Sequence, residues 1–196
     1  MDWTLALLFL VSTGPLWLLI LAAIIAEGLL RPSSRGPLFL AEDRINQGRV
    51  FRMLKFRTLD RDGLRRFRAG EGDLAAQERR GSLTGVGRFL KRWYLDELPQ
   101  ALNILRGDMS LVGTRPYPVK DFEAEMARGI TRKAVIPAGL TGLTQINKGH
   151  PERGTSEELD AEYFENYQRL SAPRLLAYDL GILLRTLKTM AEGKGL

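Results

Sequence analysis

Leu95-Asp96-Glu97-Leu98-Pro99-Gln100 and, soon after, Leu105-Arg106-Gly107-Asp108-Met109-Ser110-Leu111-Val112-Gly113-Thr114-Arg115-Pro116 are the stretches that decide how this chain is read. Two adjacent carboxylates stand at an expected helix start, with Pro99 in the first turn and Gly107 at the exit. Leu98, Ala101, Leu102 and Leu105 form the apolar stripe of that helix. A helix N-terminus stabilises a carboxylate, so Asp96 is expected to be ionised at neutral pH. The plain alternative is a capping role for Asp96, a contribution of about 1 kcal/mol. Neighbouring helical residues project ~100° apart, so Asp96 and Glu97 would not share a proton. They can take separate roles, one as nucleophile and one as metal ligand.

Arg115 adds a second kind of chemistry. Pro116 restricts it to an extended backbone, and a guanidinium held this way can clamp a phosphate through two hydrogen bonds. Lys55, Arg57 and Lys91 can add positive charge. Carboxylates facing fixed cations are what phosphoryl transfer with Mg²⁺ requires.

Composition narrows the choice. The 196 residues fit one domain with a real core plus a membrane segment. There is no cysteine, which excludes disulfides, thiolate nucleophiles and zinc–thiolate sites. His150 is the single histidine, so a histidine-rich metal site is excluded too. A net charge of +6 suits anionic partners: phosphorylated substrates, lipid headgroups or nucleic acid.

Working outward, Trp3 to Ala26 carries no charge. About 24 helical residues reach ~36 Å, enough to cross a bilayer core. Gly14-Pro15 interrupts this run. Pro15 has no N–H for the carbonyl of Val11, while Ser12 and Thr13 can bond freed carbonyls. Two geometries stay open: a kinked span, or a re-entrant helix-break-helix that enters and leaves by one face. Arg31 and Arg35 favour a cytoplasmic location for the end that follows.

The remainder reads as mostly helical α+β. Pro37 to Ile45 and Arg49 to Arg57 are expected strands around the turn Asn46-Gln47-Gly48. Strand alternation puts Lys55 and Arg57 on one face. Residues 60–82 are charged and Gly-rich and read as a mobile surface loop, with a short helix near Leu74 to Arg79. Helices are expected over Val86 to Tyr94, Asp121 to Arg128, Ser156 to Gln168 and Pro173 to Ala191. The last is amphipathic and able to lie in a membrane interface.

Five blocks in order resemble the bacterial sugar transferase family, small monotopic phosphoglycosyl transferases acting on polyprenyl phosphate. They are Val50 to Leu59, Leu95 to Gln100, Asn103 to Pro116, Gly139 to Asn147, and Asp160 to Tyr163 before Leu170-Ser171. The resemblance implies a re-entrant membrane helix over residues 1–30, broken at Gly14 and Pro15. It implies a cytoplasmic catalytic domain over 31–196, with a small β-hairpin and amphipathic interfacial helices. It implies transfer of a sugar-1-phosphate from a nucleotide sugar, normally a UDP sugar, to undecaprenyl phosphate. Asp96 would attack the sugar-linked phosphate in a ping-pong mechanism, and Asp96 and Glu97 would hold Mg²⁺. Arg115, Lys55, Arg57, Lys91, Gln145 and Asp160 would bind substrate. The implied location is the cytoplasmic face of a bacterial inner membrane, with leaflet lipid as a partner and no nucleic acid; a homodimer is compatible.

Three departures accompany the likeness. The membrane breaker is Gly14-Pro15 where the family has Ser-Pro. Thr114 stands where proline is frequent. Pro137-Ala138-Gly139 lacks the family's arginine before its Thr-Gly block. Residues 60–82 and 142–155 are expected to shape the sugar pocket. The rival readings are a non-catalytic membrane scaffold with a basic surface, a basic nucleic-acid-binding module, and a lipid phosphatase or hydrolase. The nucleic-acid reading lacks aromatics clustered on a basic strand.

Overall fold

The computed structural model describes residues 2–147 and 150–191; Lys148 and Gly149, within the expected sugar-pocket segment, lie outside them. The hairpin forms where alternation and turn chemistry agree. Strands β1 (Phe39–Asn46) and β2 (Arg49–Phe56) pair antiparallel, with Asn46 opposite Arg49. Gln47 and Gly48 turn the chain with positive φ, 48° and 75°, as a two-residue hairpin turn of this hand demands. Phe51 and Met53 point into the core while Arg52 between them is exposed.

The segment over residues 60–82 is a correction. It holds two helices, α2 (Arg61–Arg68) and α3 (Leu74–Arg79), in place of a mobile loop. Asp60 and Asp73 cap them, accepting from the N–H groups of Gly63 and Ala76. Leu64 and Leu74 pack with Leu40 and Leu59 in a small buried cluster. The carboxylate of Glu42 accepts the Leu74 N–H at 3.1 Å and pairs with Arg44 at 2.6 Å, tying α3 to β1. A few well-spaced leucines suffice because β1 completes their core; dense surrounding charge hides this in the sequence.

Helix α1 (Asp2–Leu30) also differs from expectation. It runs as one helical element through Gly14-Pro15, with no break between two helices. The hydroxyls of Ser12 and Thr13 both donate to the carbonyl of Phe9, at 3.0 and 2.6 Å. Hydroxyls placed this way supply hydrogen bonding next to the turn that the proline weakens.

Both ends of α1 are fastened to the same folded body. Near the start, the Asp2 carboxylate accepts from the Ser110 hydroxyl at 2.6 Å, and Ala6 enters the main core. Toward the end, Ile20 and Ile24 pack with Phe56, Leu90 and Leu98. The Glu27 carboxylate then accepts the N–H groups of Gly85 and Val86, at 2.7 and 2.9 Å, opening helix α4 (Gly85–Arg92). A helix of this length measures ~43 Å. Held at both ends, it lies along the body. Leu7, Leu8, Val11, Leu18 and Leu19 between those ends are 55–70% exposed, an apolar stripe too long for an aqueous surface.

The remaining elements finish the body. Helix α5 (Gln100–Arg106) packs beneath α1. Strands β3 (Ser110–Val112) and β5 (Gly139–Thr141) pair in parallel, and β4 (Tyr117–Pro118) joins the free edge of β1. Helices α6 (Val119–Ala127), α7 (Arg132–Val135), α8 (Leu143–Ile146), α9 (Ser156–Arg169) and α10 (Ala172–Ala191) follow. Thr155 and Glu158 form a reciprocal cap at the start of α9. Helix α10 buries Ile182 and exposes Leu176, Leu180, Leu184 and Leu187 along one stripe.

Backbones meet closely beside β3. A Cβ on Gly142 would lie 1.9 Å from the carbonyl oxygen of Gly113, so only glycine fits there. Thr114 donates its N–H to the carbonyl of Pro137 at 3.1 Å. A proline at position 114 has no such donor; the departure from the family pattern therefore gains a hydrogen bond that holds the Arg115 loop.

Candidate active site

Asp96 lies in a tight turn over Leu95–Glu97, before α5 begins at Gln100. It is thus not the N-cap of that helix, because Pro99 takes the flanking position. Tyr94 enters the turn in the left-handed region, φ 57° and ψ 16°, a conformation that costs a bulky side chain about 1 kcal/mol or more. Surrounding contacts hold it. Asn103 is fully buried and accepts the Leu54 N–H at 2.9 Å. Its amide nitrogen donates to the Arg52 carbonyl and to Asp108, both at 2.8 Å. This fastens α5, and the turn before it, to β2.

Two lysines reach the carboxylates from separate elements. Lys55 on β2 meets Glu97 at 2.9 Å. Lys91 on α4 meets Asp96 Oδ2 at 3.2 Å. Helix α4 can come this close because residue 87 is glycine: a Cβ there would lie 2.2 Å from the carbonyl oxygen of Thr58. Lys91 also meets Glu78 of α3 at 3.1 Å.

The two carboxylates are pushed apart in acidity. Asp96 is 1% exposed, and burial raises its pKa against the pull of Lys55 and Lys91. For Glu97 burial works the same way, but Lys55, Lys91, a hydrogen bond from Lys55 and the charge of Arg115 outweigh it and bring the group down to about 2. Burial disfavours the Lys91 ammonium, yet Asp96 and Glu78 prevail and raise its pKa. One oxygen of the pair stands apart. Asp96 Oδ1 is buried and, among the described residues, has no hydrogen-bond partner. Leaving such an atom unpaired costs about 1–3 kcal/mol.

Side chains enclose Asp96. Of the expected cations, Lys55 and Lys91 meet the two carboxylates. Arg115 is exposed on the loop after β3, and its charge acts on Glu97 and Tyr94.

Not every expected residue joins this cluster. Arg57 is 2% exposed and donates to the carbonyls of Pro37 and Leu59, at 2.8 and 3.0 Å. Strand β2 ends at Phe56, so the alternation that paired Arg57 with Lys55 does not extend to it. Asp160 on α9 is buried against Lys133 at 2.5 Å and accepts from Thr144 at 3.2 Å. Gln145 on α8 donates to the Gly139 carbonyl at 3.4 Å, and its buried Oε1 lacks a partner among the described residues. Gly14 and Pro15 lie inside α1. Glu78, by contrast, reaches the site and went unread. No local signal marks it, since it is one acidic residue in a charged segment.

The donor set suits one hard divalent cation. Mg²⁺ is commonly held by one or two carboxylates together with substrate phosphates. Asp96 and Glu97, adjacent in one tight turn, fit that pattern. Among the described residues there is no cluster of three or more acidic or histidine ligands that would bind a metal unaided.

A sequence model of the family described as "Bacterial sugar transferase" matches residues 1–193. The galactosyl transferase CpsE of Streptococcus agalactiae serotype III is 33% identical, over 95% of this chain and 42% of that protein. The exopolysaccharide production protein ExoY of Sinorhizobium fredii is 32% identical, over 99% of this chain and 85% of its own length. The UDP-glucose:undecaprenyl-phosphate glucose-1-phosphate transferase of Escherichia coli is 32% identical, over 85% of this chain and 35% of the relative. The chain spans less than half the length of two of these three relatives.

Proposed function

The chain belongs to the bacterial sugar transferase family and is a sugar-phosphate transferase of that kind; we propose that it moves a sugar-1-phosphate from a UDP sugar to undecaprenyl phosphate in two steps. The Escherichia coli relative is named for both substrates, which supports the pairing. The observation that carries the reading is Asp96 Oδ1, a buried carboxylate oxygen with no partner among the described residues, on the carboxylate whose other oxygen meets Lys91.

In the first step an Asp96 oxygen attacks the phosphorus that bears the sugar. The bond from that phosphorus to the bridging oxygen breaks, and nucleoside monophosphate leaves with the electron pair. In the second step the lipid phosphate attacks the same phosphorus and Asp96 departs as a carboxylate. A covalent intermediate lets a water-soluble donor and a bilayer acceptor visit in turn.

Lys55 holds Glu97, Lys91 steadies Asp96 Oδ2, and Arg115 is free to approach a phosphate. Asp96 and Glu97 would hold Mg²⁺, which neutralises diphosphate charge when bound. Lys55, Lys91 and Arg115 oppose Asp96, Glu97 and Glu78 one for one, so a divalent cation and a doubly charged diphosphate would enter together without net cost in charge. Arg57, Gln145 and Asp160 act from the surrounding frame.

The membrane reading follows from α1. Its length, its exposed apolar stripe and its attachment at both ends support a helix that lies in the membrane along one face of the folded body. Residues 31–196 would then sit on the cytoplasmic side of the inner membrane. The experiment is incubation with donor labelled in the sugar phosphate, without acceptor. Label bound to the wild-type protein and absent from Asp96→Asn is expected, with nucleoside monophosphate released in equal amount. Transfer to lipid with no labelled protein at any time would rule out the two-step route.

A further inference from the structure

We propose that Glu78 is a positioning residue for the transfer reaction: it holds Lys91 to one side of Asp96, so that the ammonium engages Oδ2 and leaves Oδ1 for phosphorus. The inference rests on Asp96 being the nucleophile. Glu78 sits in the last turn of α3, its side chain 13% exposed. One carboxylate oxygen accepts from the Thr58 hydroxyl at 3.2 Å, and the other meets Lys91 at 3.1 Å. Its helix is fixed at the opposite end by Glu42 and capped by Asp73. The carboxylate is therefore located from both sides before Lys91 is considered.

Lys91 needs such a partner. A lysine ammonium is a compact charge on a flexible stem with three rotatable donors. Only 15% of the side chain is exposed, and Asp96 and Glu97 both attract it. Without a second anchor it is free to move across both oxygens of Asp96, or toward Glu97, and so to cover the vacant atom. With Glu78 in place it is suspended between α3 and the Asp96 turn. Glu78 reaches the reaction only through Lys91.

The test is a double-mutant cycle on nucleoside monophosphate release, using the full chain in lipid nanodiscs with melting temperatures measured alongside. Glu78→Gln is expected to lower kcat about tenfold with donor KM within about twofold, and Lys91→Met about a hundredfold. The double variant should match Lys91→Met within about twofold, because residues acting through one another do not add. Thr58→Val loosens the same carboxylate from its other side. It should cost about threefold in kcat in the wild-type background and nothing further with Lys91→Met. This second arm decides the matter if Glu78→Gln folds poorly. Losses that multiply in the double variants, or an unchanged kcat in Glu78→Gln, would overturn the role of Glu78. Turnover persisting in Asp96→Asn would instead overturn the reading of the whole site, and this proposal with it.

Discussion

Among the described residues, two lysine–aspartate pairs hold a buried aspartate, and they are finished differently. Lys133 and Asp160 lie 2.5 Å apart, Thr144 takes the second oxygen of Asp160, and Lys133 sits 4.0 Å above the ring of Tyr117. Lys91 and Asp96 lie 3.2 Å apart, Lys91 is shared with Glu78, and Asp96 Oδ1 has no partner among the described residues. The first pair closes on itself, as a charge pair in a core must if it is not to destabilise the fold. The second is stretched, divided and left one bond short. A fold tolerates that where a ligand is to supply the missing partner.

The sharpest way to break the comparison is to neutralise each aspartate in turn. Asp96→Asn is expected to reduce turnover by at least about 10³-fold, as loss of a nucleophile does. Its melting temperature should hold or rise, since Lys91 keeps Glu78. Asp160→Asn should do the reverse. Breaking a closed buried pair costs about 3–5 kcal/mol, seen in the denaturant midpoint, while turnover per folded molecule stays within about threefold. A variant at position 160 that folds normally and fails to turn over would end the contrast.

Arg115→Gln probes the open side of the active pair. Arg115 has no carboxylate partner among the described residues, so stability should not change. The loss of a charged hydrogen bond to phosphate, about 1.5–3 kcal/mol, should lower kcat/KM about 10- to 100-fold.

The smallest effect concerns pH. Burial raises Asp179 to about 6, against a hydrogen bond from Tyr163 and with help from Asp2. Its folded pKa thus exceeds its unfolded value, and the folded state binds the extra proton. Stability from this group is full below about pH 4 and falls as pH rises toward 6. Asp179→Asn should raise the melting temperature slightly at pH 7 and leave it unchanged at pH 4, followed by scanning calorimetry.

Much of this was legible along the chain. Gln47-Gly48 announced the hairpin, the run from Ser156 to Gln168 announced α9, and Leu74 to Arg79 a short helix. Asp96, Glu97, Lys55, Lys91 and Arg115 stood out by residue type and spacing, and the fold brings Lys55 and Lys91 onto the two carboxylates. Arg57 was misplaced because alternation holds only while a strand lasts. The helices in residues 60–82 were hidden because their leucines complete a core that begins in β1.

The amino-acid order alone therefore determined the candidate residues and the apolar helix, since both depend on residue type and on neighbours a few positions away. Only the folded chain decided which cation meets which carboxylate. Charge pairing depends on distances between segments far apart in sequence: α3 must close on α4 before Glu78 can reach Lys91, and the turn at Tyr94 must tighten before Asp96 loses its contact with water.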